Sequence, residues 1–155
     1  MVKIEFSINL PASPKQLIKI VSDYENYPFY LPDQLKNVKV IQNDDDETIT
    51  EDTFIFKTIV KKEIKQKSRH KIQDNKAIIE ILSGPGKNSI VNVLFEKINS
   101  GTEVLVNAEL KLGIKGKIFS PIIKKLYPTN LLKIPCSLLY SYLQLFFLCN
   151  HQHIL

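Results

Sequence analysis

Lys61-Lys62-Glu63-Ile64-Lys65-Gln66-Lys67-Ser68-Arg69-His70-Lys71-Ile72 places a charge at every odd position from Lys61 to Lys71. Ile64, Gln66, Ser68, His70 and Ile72 fall on the alternate positions. A period of two is that of a β-strand, and a fully charged face has to meet water, so the opposite face turns inward. That inward face is polar in its middle, at Gln66, Ser68 and His70. One reading makes these three a polar anchor for a ligand carbonyl or hydroxyl. The other makes His70 an ordinary strand histidine bonded to its neighbours, or one turned outward by a one-residue bulge. Acid–base work by His70 would need a carboxylate partner and a pKa near neutrality; Asp52, which also falls inward, is the candidate.

Working outward, residues 48–60 form the preceding strand and Val38–Ile41 another, joined by a turn at Asn43-Asp44-Asp45-Asp46 whose charges are solvated. The acidic run lacks the Gly and the distal Glu of an EF-hand loop, so no calcium site is expected. Downstream, Asp74-Asn75 is a turn, Ala77–Leu82 a short strand, and Ser83-Gly84-Pro85-Gly86 a loop with strong turn chemistry. Residues 89–98 and 102–112 are two further strands around the hairpin turn Asn99-Ser100-Gly101. At the other end, Val2, Ile4, Phe6, Ile8 and Leu10 alternate with polar residues as a half-buried strand. Ser13-Pro14 then starts a helix, with Ser as the N-cap and Pro at the first helical position. A short helical turn is expected within Asp23–Tyr30.

After Gly113 the pattern becomes helical. Ile118, Phe119, Ile122, Ile123 and Leu126 make an apolar stripe opposed by Lys117, Lys124 and Lys125, and Pro128 ends or kinks it. The stretch Leu131–Cys149 is almost wholly apolar. A bilayer span takes about 20 apolar residues. Residues 136–149 supply only 14 without charge. That length suits a buried lid helix, or an interfacial contact in which Lys124, Lys125 and Lys133 face an anionic membrane surface.

At 155 residues the chain has room for one domain with one sizeable core. The order strand, helices, six strands, long helical region is that of an α+β domain. Residues 1–127 are expected to be its body and 128–155 its apolar helical segment. The opening residues alternate rather than forming an export signal, so a cytoplasmic protein, peripheral to the inner membrane face in the interfacial reading, is expected. Cys136 and Cys149, with His151 and His153 in a polar tail, lack metal-ligand spacing; no metal and no cofactor are predicted. Residues 1–60 carry 6 Lys against 10 Asp/Glu, a net of −4, and residues 61–155 carry 15 Lys/Arg against 6, a net of +9. Such a split suits an acidic partner for the second half. Arg69 is the sole arginine among 21 basic residues, which disfavours sequence-specific nucleic-acid recognition.

Three segments carry a family likeness. Val21-Ser22-Asp23-Tyr24-Glu25-Asn26-Tyr27-Pro28-Phe29-Tyr30-Leu31-Pro32 resembles the segment after the first helix of polyketide-cyclase-like and coenzyme-Q-binding proteins of the START-like (SRPBCC) superfamily. Gly84-Pro85 with Val91–Glu96, and Gly101-Thr102-Glu103-Val104, resemble two later motifs of the same proteins, in the expected order. The resemblance spans residues 2–127. It departs at Asp33-Gln34, at Val93, where an aromatic is common, and at Pro128 and Pro135, which interrupt the usual C-terminal helix.

The resemblance implies a helix-grip fold: a bent antiparallel sheet of six to seven strands wrapped around a long C-terminal helix, with an apolar cavity. It also implies a hydrophobic ligand such as a lipid, quinone or isoprenoid, carried without catalysis. Polyketide cyclisation or dehydration, and ribosome or RNA association, are the alternatives. Candidate lining residues are Phe54, Phe56, Ile79, Ile81, Val91, Val93, Phe95, Val104, Val106 and Leu110. Phe119 and Ile122 join them from the helix, and Gln66, Ser68 and His70 supply the polar contacts. Plain core is the competing reading for each apolar one. Tyr24, Tyr27 and Tyr30 either gate the mouth or pack the short helices on the sheet.

Overall fold

The computed structural model describes residues 1–32, 35–57, 61–84 and 86–111; within these the side chains of Val2, Phe56, Lys57, Lys61 and Lys62 are left aside. Strand β1 (Val2–Leu10) is followed by helix α1 (Pro14–Val21), a single 3-10 turn (Tyr24–Asn26) and the short helix α2 (Tyr27–Tyr30). Six strands follow: β2 (Leu35–Asn43), β3 (Thr48–Lys57), β4 (Lys61–Gln73), β5 (Lys76–Ser83), β6 (Ile90–Ile98) and β7 (Gly101–Leu110). They form one seven-stranded sheet in the order β1-β7-β6-β5-β4-β3-β2, antiparallel throughout. Consecutive hairpins build β2 to β7, and β1 closes against β7 from Val2 opposite Leu110 to Leu10 opposite Thr102.

Helix α1 begins where Ser13-Pro14 places it. The Gln16 amide donates to Ser13 Oγ at 3.3 Å and the Ser13 amide to Gln16 Oε1 at 2.9 Å, a reciprocal capping box. Ser13→Ala removes one side of it and is expected to cost about 1 kcal/mol, lowering Tm in a thermal melt by about 3 °C. The Tyr-rich segment packs rather than gates. Tyr24 and Tyr27 are buried with Leu31, Leu35, Val38 and Phe54, and the Tyr27 hydroxyl donates to the Val21 carbonyl. Phe29, at 81% exposure, is left in solvent.

Among the described residues the interior has two apolar parts. The larger joins Leu17 and Val21 of α1 to the inward residues of β1, β5, β6 and β7, including Ile4, Ile81, Val91, Phe95, Val104 and Leu110. The smaller is the tyrosine cluster against β2 and β3. Between them runs the inward face of β3 and β4, which is where the polar residues lie.

Candidate functional site

Alternation along β3 puts Thr48, Thr50, Asp52 and Phe54 on one face, and the β3–β4 register sets Thr48 opposite His70, Thr50 opposite Ser68 and Asp52 opposite Gln66. Thr50, Asp52, Gln66, Ser68 and His70 are all buried. They satisfy one another. Gln66 Nε2 donates to Ser68 Oγ at 3.2 Å, Ser68 Oγ donates to Asp52 Oδ2 at 2.9 Å, and Thr50 Oγ1 lies 3.0 Å from His70 Nε2. Thr50 also bonds the Asp52 side chain. A hydroxyl has one hydrogen. With Thr50 donating to Asp52, His70 Nε2–H donates to Thr50, and the row becomes a chain from His70 through Thr50 to Asp52.

Burial governs the protonation of both ends. It lifts the Asp52 carboxyl to about 6, against the pull of its bonds from Ser68 and Thr50, with the nearby Glu51 charge adding to the rise. It lowers His70 to about 3, so the imidazole is neutral at physiological pH. The β4–β5 ladder does contain a bulge: Lys67 faces Ser83 and Ser68 faces Ile81. The extra residue, Leu82, is on β5, so the alternation of β4 is undisturbed and His70 stays inside.

The Tyr24 ring lies against His70, centroids 4.4 Å apart and planes at 36°, with Tyr24 also bonded to Thr48. Burial raises the Tyr24 phenol to about 12. This ring pair borders a cavity of about 370 Å³ between the 3-10 turn, the β2–β3 turn and β4. Val40 and Ile72 supply apolar wall; Asp23, Glu25 and the run Asp44–Glu47 stand around it. The volume falls in the range of small-molecule sites.

Of the described candidates, His70 borders this cavity. Ile79, Ile81, Val91, Val93, Phe95, Val104, Val106 and Leu110 are buried in the larger apolar cluster and Phe54 in the smaller one, and Val93 and Val106 also border a second cavity, of about 570 Å³. Ile79, Val93 and Phe95 meet His70 at a crevice of about 10 Å³, room for one water at most. The Phe56 side chain, Phe119, Ile122, Lys124, Lys125, Lys133 and the whole of 128–155 lie outside the described residues. Thr50 and Tyr24 are not among the ligand-binding candidates drawn from the sequence. Thr50 is readable from the period of β3, whereas the contact of Tyr24 with His70 joins segments 46 positions apart and has no local signal.

On the outer face the charge ladder of β4 is met by acids. Arg69 reaches Glu80 at 2.9 Å and Glu47 at 3.3 Å, Lys71 reaches Glu47 at 3.3 Å, and Lys65 lies 3.7 Å from Glu51. Among the described residues no helix is long and apolar enough to cross a membrane, and no group of three His, Cys, Asp or Glu could hold a metal ion.

No family model matches the sequence, and no curated protein matches it. Solved structures do. TTHA0849 from Thermus thermophilus superposes with a TM-score of 0.73 at 16% identity, covering 99% of this chain and 100% of that one. The Zhui aromatase/cyclase from Streptomyces sp. R1128 gives 0.70 at 8% identity, covering 98% and 95%. A START superfamily protein from Mycobacterium smegmatis gives 0.62 at 15%, covering 97% and 98%. The fold is therefore the helix-grip α+β fold of START-like proteins, as the sequence motifs implied.

Proposed function

We propose that the chain binds a largely apolar small molecule, with the polar end of that molecule held at the row Thr50–Asp52–Gln66–Ser68–His70. The observation that carries this reading is the row itself: five buried polar side chains between two apolar clusters. Burying polar groups costs free energy even when they pair, and apolar residues of similar size would serve a purely structural strand as well or better. A site that grips a hydroxyl or carbonyl has a use for them. The fold adds support, since neighbours sharing it include an aromatase/cyclase and a START superfamily protein. The segment 128–155, read from the sequence as either a lid or a membrane contact flanked by Lys124, Lys125 and Lys133, lies outside the described residues.

Mass spectrometry of an organic extract, set against the native intact mass, tests the proposal. A stoichiometric apolar compound is expected. In a Gln66→Leu/Ser68→Ala variant, retention should fall about tenfold, the loss of one or two hydrogen bonds to the ligand. Undiminished ligand in a folded Val93→Asp or Val106→Asp variant would sink the proposal, as would an empty wild-type protein that also takes up no apolar probe.

Catalysis is the weaker reading. The His70–Thr50–Asp52 chain is a relay in outline, but a histidine held near 3 is a poor base at neutral pH. A ribosome or RNA contact is weakened by the acids that meet the β4 ladder.

A further inference from the structure

The cavity beside His70 has a chemistry that narrows the ligand, and the inference rests on the binding reading above. Its floor is two buried rings in tilted contact, Tyr24 and His70, flanked by Val40 and Ile72. Among the described residues, the charged side chains that border it are acids: Asp23, Glu25, Asp44, Asp45, Asp46 and Glu47. Glu47 is engaged by Arg69 and Lys71, each at 3.3 Å; Asp23 accepts from Asn26 at 2.9 Å and Asp44 from Gln42 at 2.6 Å. Glu25, Asp45 and Asp46 are exposed on the rim.

A further acid, Asp52, lies along the buried row and does not itself border the cavity. Asp52 is 6% exposed, and its partners are the hydroxyls of Ser68 and Thr50 rather than any cation. Thr50 links it to the floor through His70. A buried carboxylate normally finds a countercharge. Here the protein supplies none among the groups that bond it.

We infer that the cavity takes an organic cation, an apolar body bearing an ammonium group, whose charge lies at the Tyr24–His70 pair, the end of the polar row that reaches the cavity, within the field of the acidic rim. Aromatic faces attract cations through their quadrupole, and the attraction grows when the site is desolvated. Both rings are uncharged at neutral pH, so neither sets a repelling positive charge against a cation. The acidic mouth steers cations in and turns fatty acids and other anions away, against the net charge of +5 of the whole chain. An inorganic cation is the poorer fit, because the described residues bring no three ligating side chains together and Tyr24, His70, Val40 and Ile72 give the wall an aromatic and apolar part.

Three compounds of one skeleton separate the outcomes by isothermal titration calorimetry of the full chain at low ionic strength: phenylbutylamine, phenylbutanol and phenylbutyrate. The amine is expected to bind about tenfold more tightly than the alcohol, and the carboxylate to bind most weakly. In Glu25→Gln/Asp45→Asn/Asp46→Asn, surface changes that leave the core untouched, the amine preference should shrink several-fold while alcohol binding holds. Equal affinity for amine and carboxylate overturns the inference, and alcohol binding in that case leaves the apolar-ligand reading standing. Binding by none of the three overturns both. An amine preference unchanged in the rim variant, or calcium chloride displacing the amine at equimolar concentration, overturns the assignment to this mouth.

Discussion

Asp52→Asn makes the fold acid-sensitive, whereas His70→Asn makes it more stable as the pH falls; equilibrium denaturation between pH 3.8 and pH 6.5 reads both. The signs follow from which state holds the proton. Folded Asp52 titrates near 6 and unfolded Asp near 3.8, so between those values the native state holds a proton the unfolded state lacks. Asp52 therefore contributes stability that is complete below 3.8 and lost as the pH rises through about 6. His70 acts in the opposite sense. Its folded pKa is about 3 against 6.5 unfolded, so its stability is complete above 6.5 and drains away as the pH falls toward 3.

From 3.8 to 6 the two protons cancel, and the pair contributes no slope. Removing Asp52 leaves the His70 slope bare, about 1.4 kcal/mol lost per pH unit of acidification. Relative to wild type, Asp52→Asn should then lose about 3 kcal/mol across that window. Above it the variant should be the more stable protein, because the cost of a buried anion is gone. Asn keeps an oxygen to accept from Ser68, and Thr50 can turn to accept from its amide. Removing His70 leaves the Asp52 slope, of equal size and opposite sign. Variant and wild-type curves that run parallel would show that neither group is buried in the way that defines the row.

The β4 alternation makes the inward row legible from the residues alone. Charge on every odd position leaves Gln66, Ser68 and His70 a single direction to face, and the period of β3 carries Asp52 to the same side. The succession of strands along the chain and the early helices are legible for a similar local reason: turn chemistry at Asn43–Asp46, Asp74-Asn75 and Ser83–Gly86 punctuates the hairpins, and Ser13-Pro14 marks a helix start. The cavity is not legible. It arises where Tyr24, the β2–β3 turn and His70 converge, and periodicity within a segment is silent on which segments meet. For that reason Asp44–Asp46 read as solvated turn charges alone, when they also border the cavity that Tyr24 and His70 line. Inward apolar residues such as Val91 and Val104 carry the converse ambiguity: a sheet face reads the same whether it lines a cavity or fills itself.

Gly101→Ala is expected to remove about 4 kcal/mol of stability, a large share of what a domain of this size has. Gly101 opens β7 at φ +142°, a region that costs a side-chain-bearing residue about 1–3 kcal/mol. Space is the larger obstacle. A Cβ there would sit 2.1 Å from the Leu10 carbonyl oxygen and 3.0 Å from Pro11 Cα, both backbone atoms that no rotamer change can move aside. Relief requires β1 to part from β7 where Leu10 pairs with Thr102. That same point fixes α1, because Thr102 Oγ1 donates to the Ala12 carbonyl at 2.6 Å just ahead of the capping box. Helix α1 in turn delivers Ser22, Asp23 and Tyr24 to the cavity wall. The substitution should therefore lower the urea midpoint without changing m, and weaken any ligand held over Tyr24 and His70. Ser100→Ala, one position away in the exposed turn, should stay within about 0.5 kcal/mol of wild type. If the two variants unfold at the same midpoint, the close approach of β7 to Leu10 is not what holds this end of the sheet, and the seat of α1 has to be sought in its own apolar face instead.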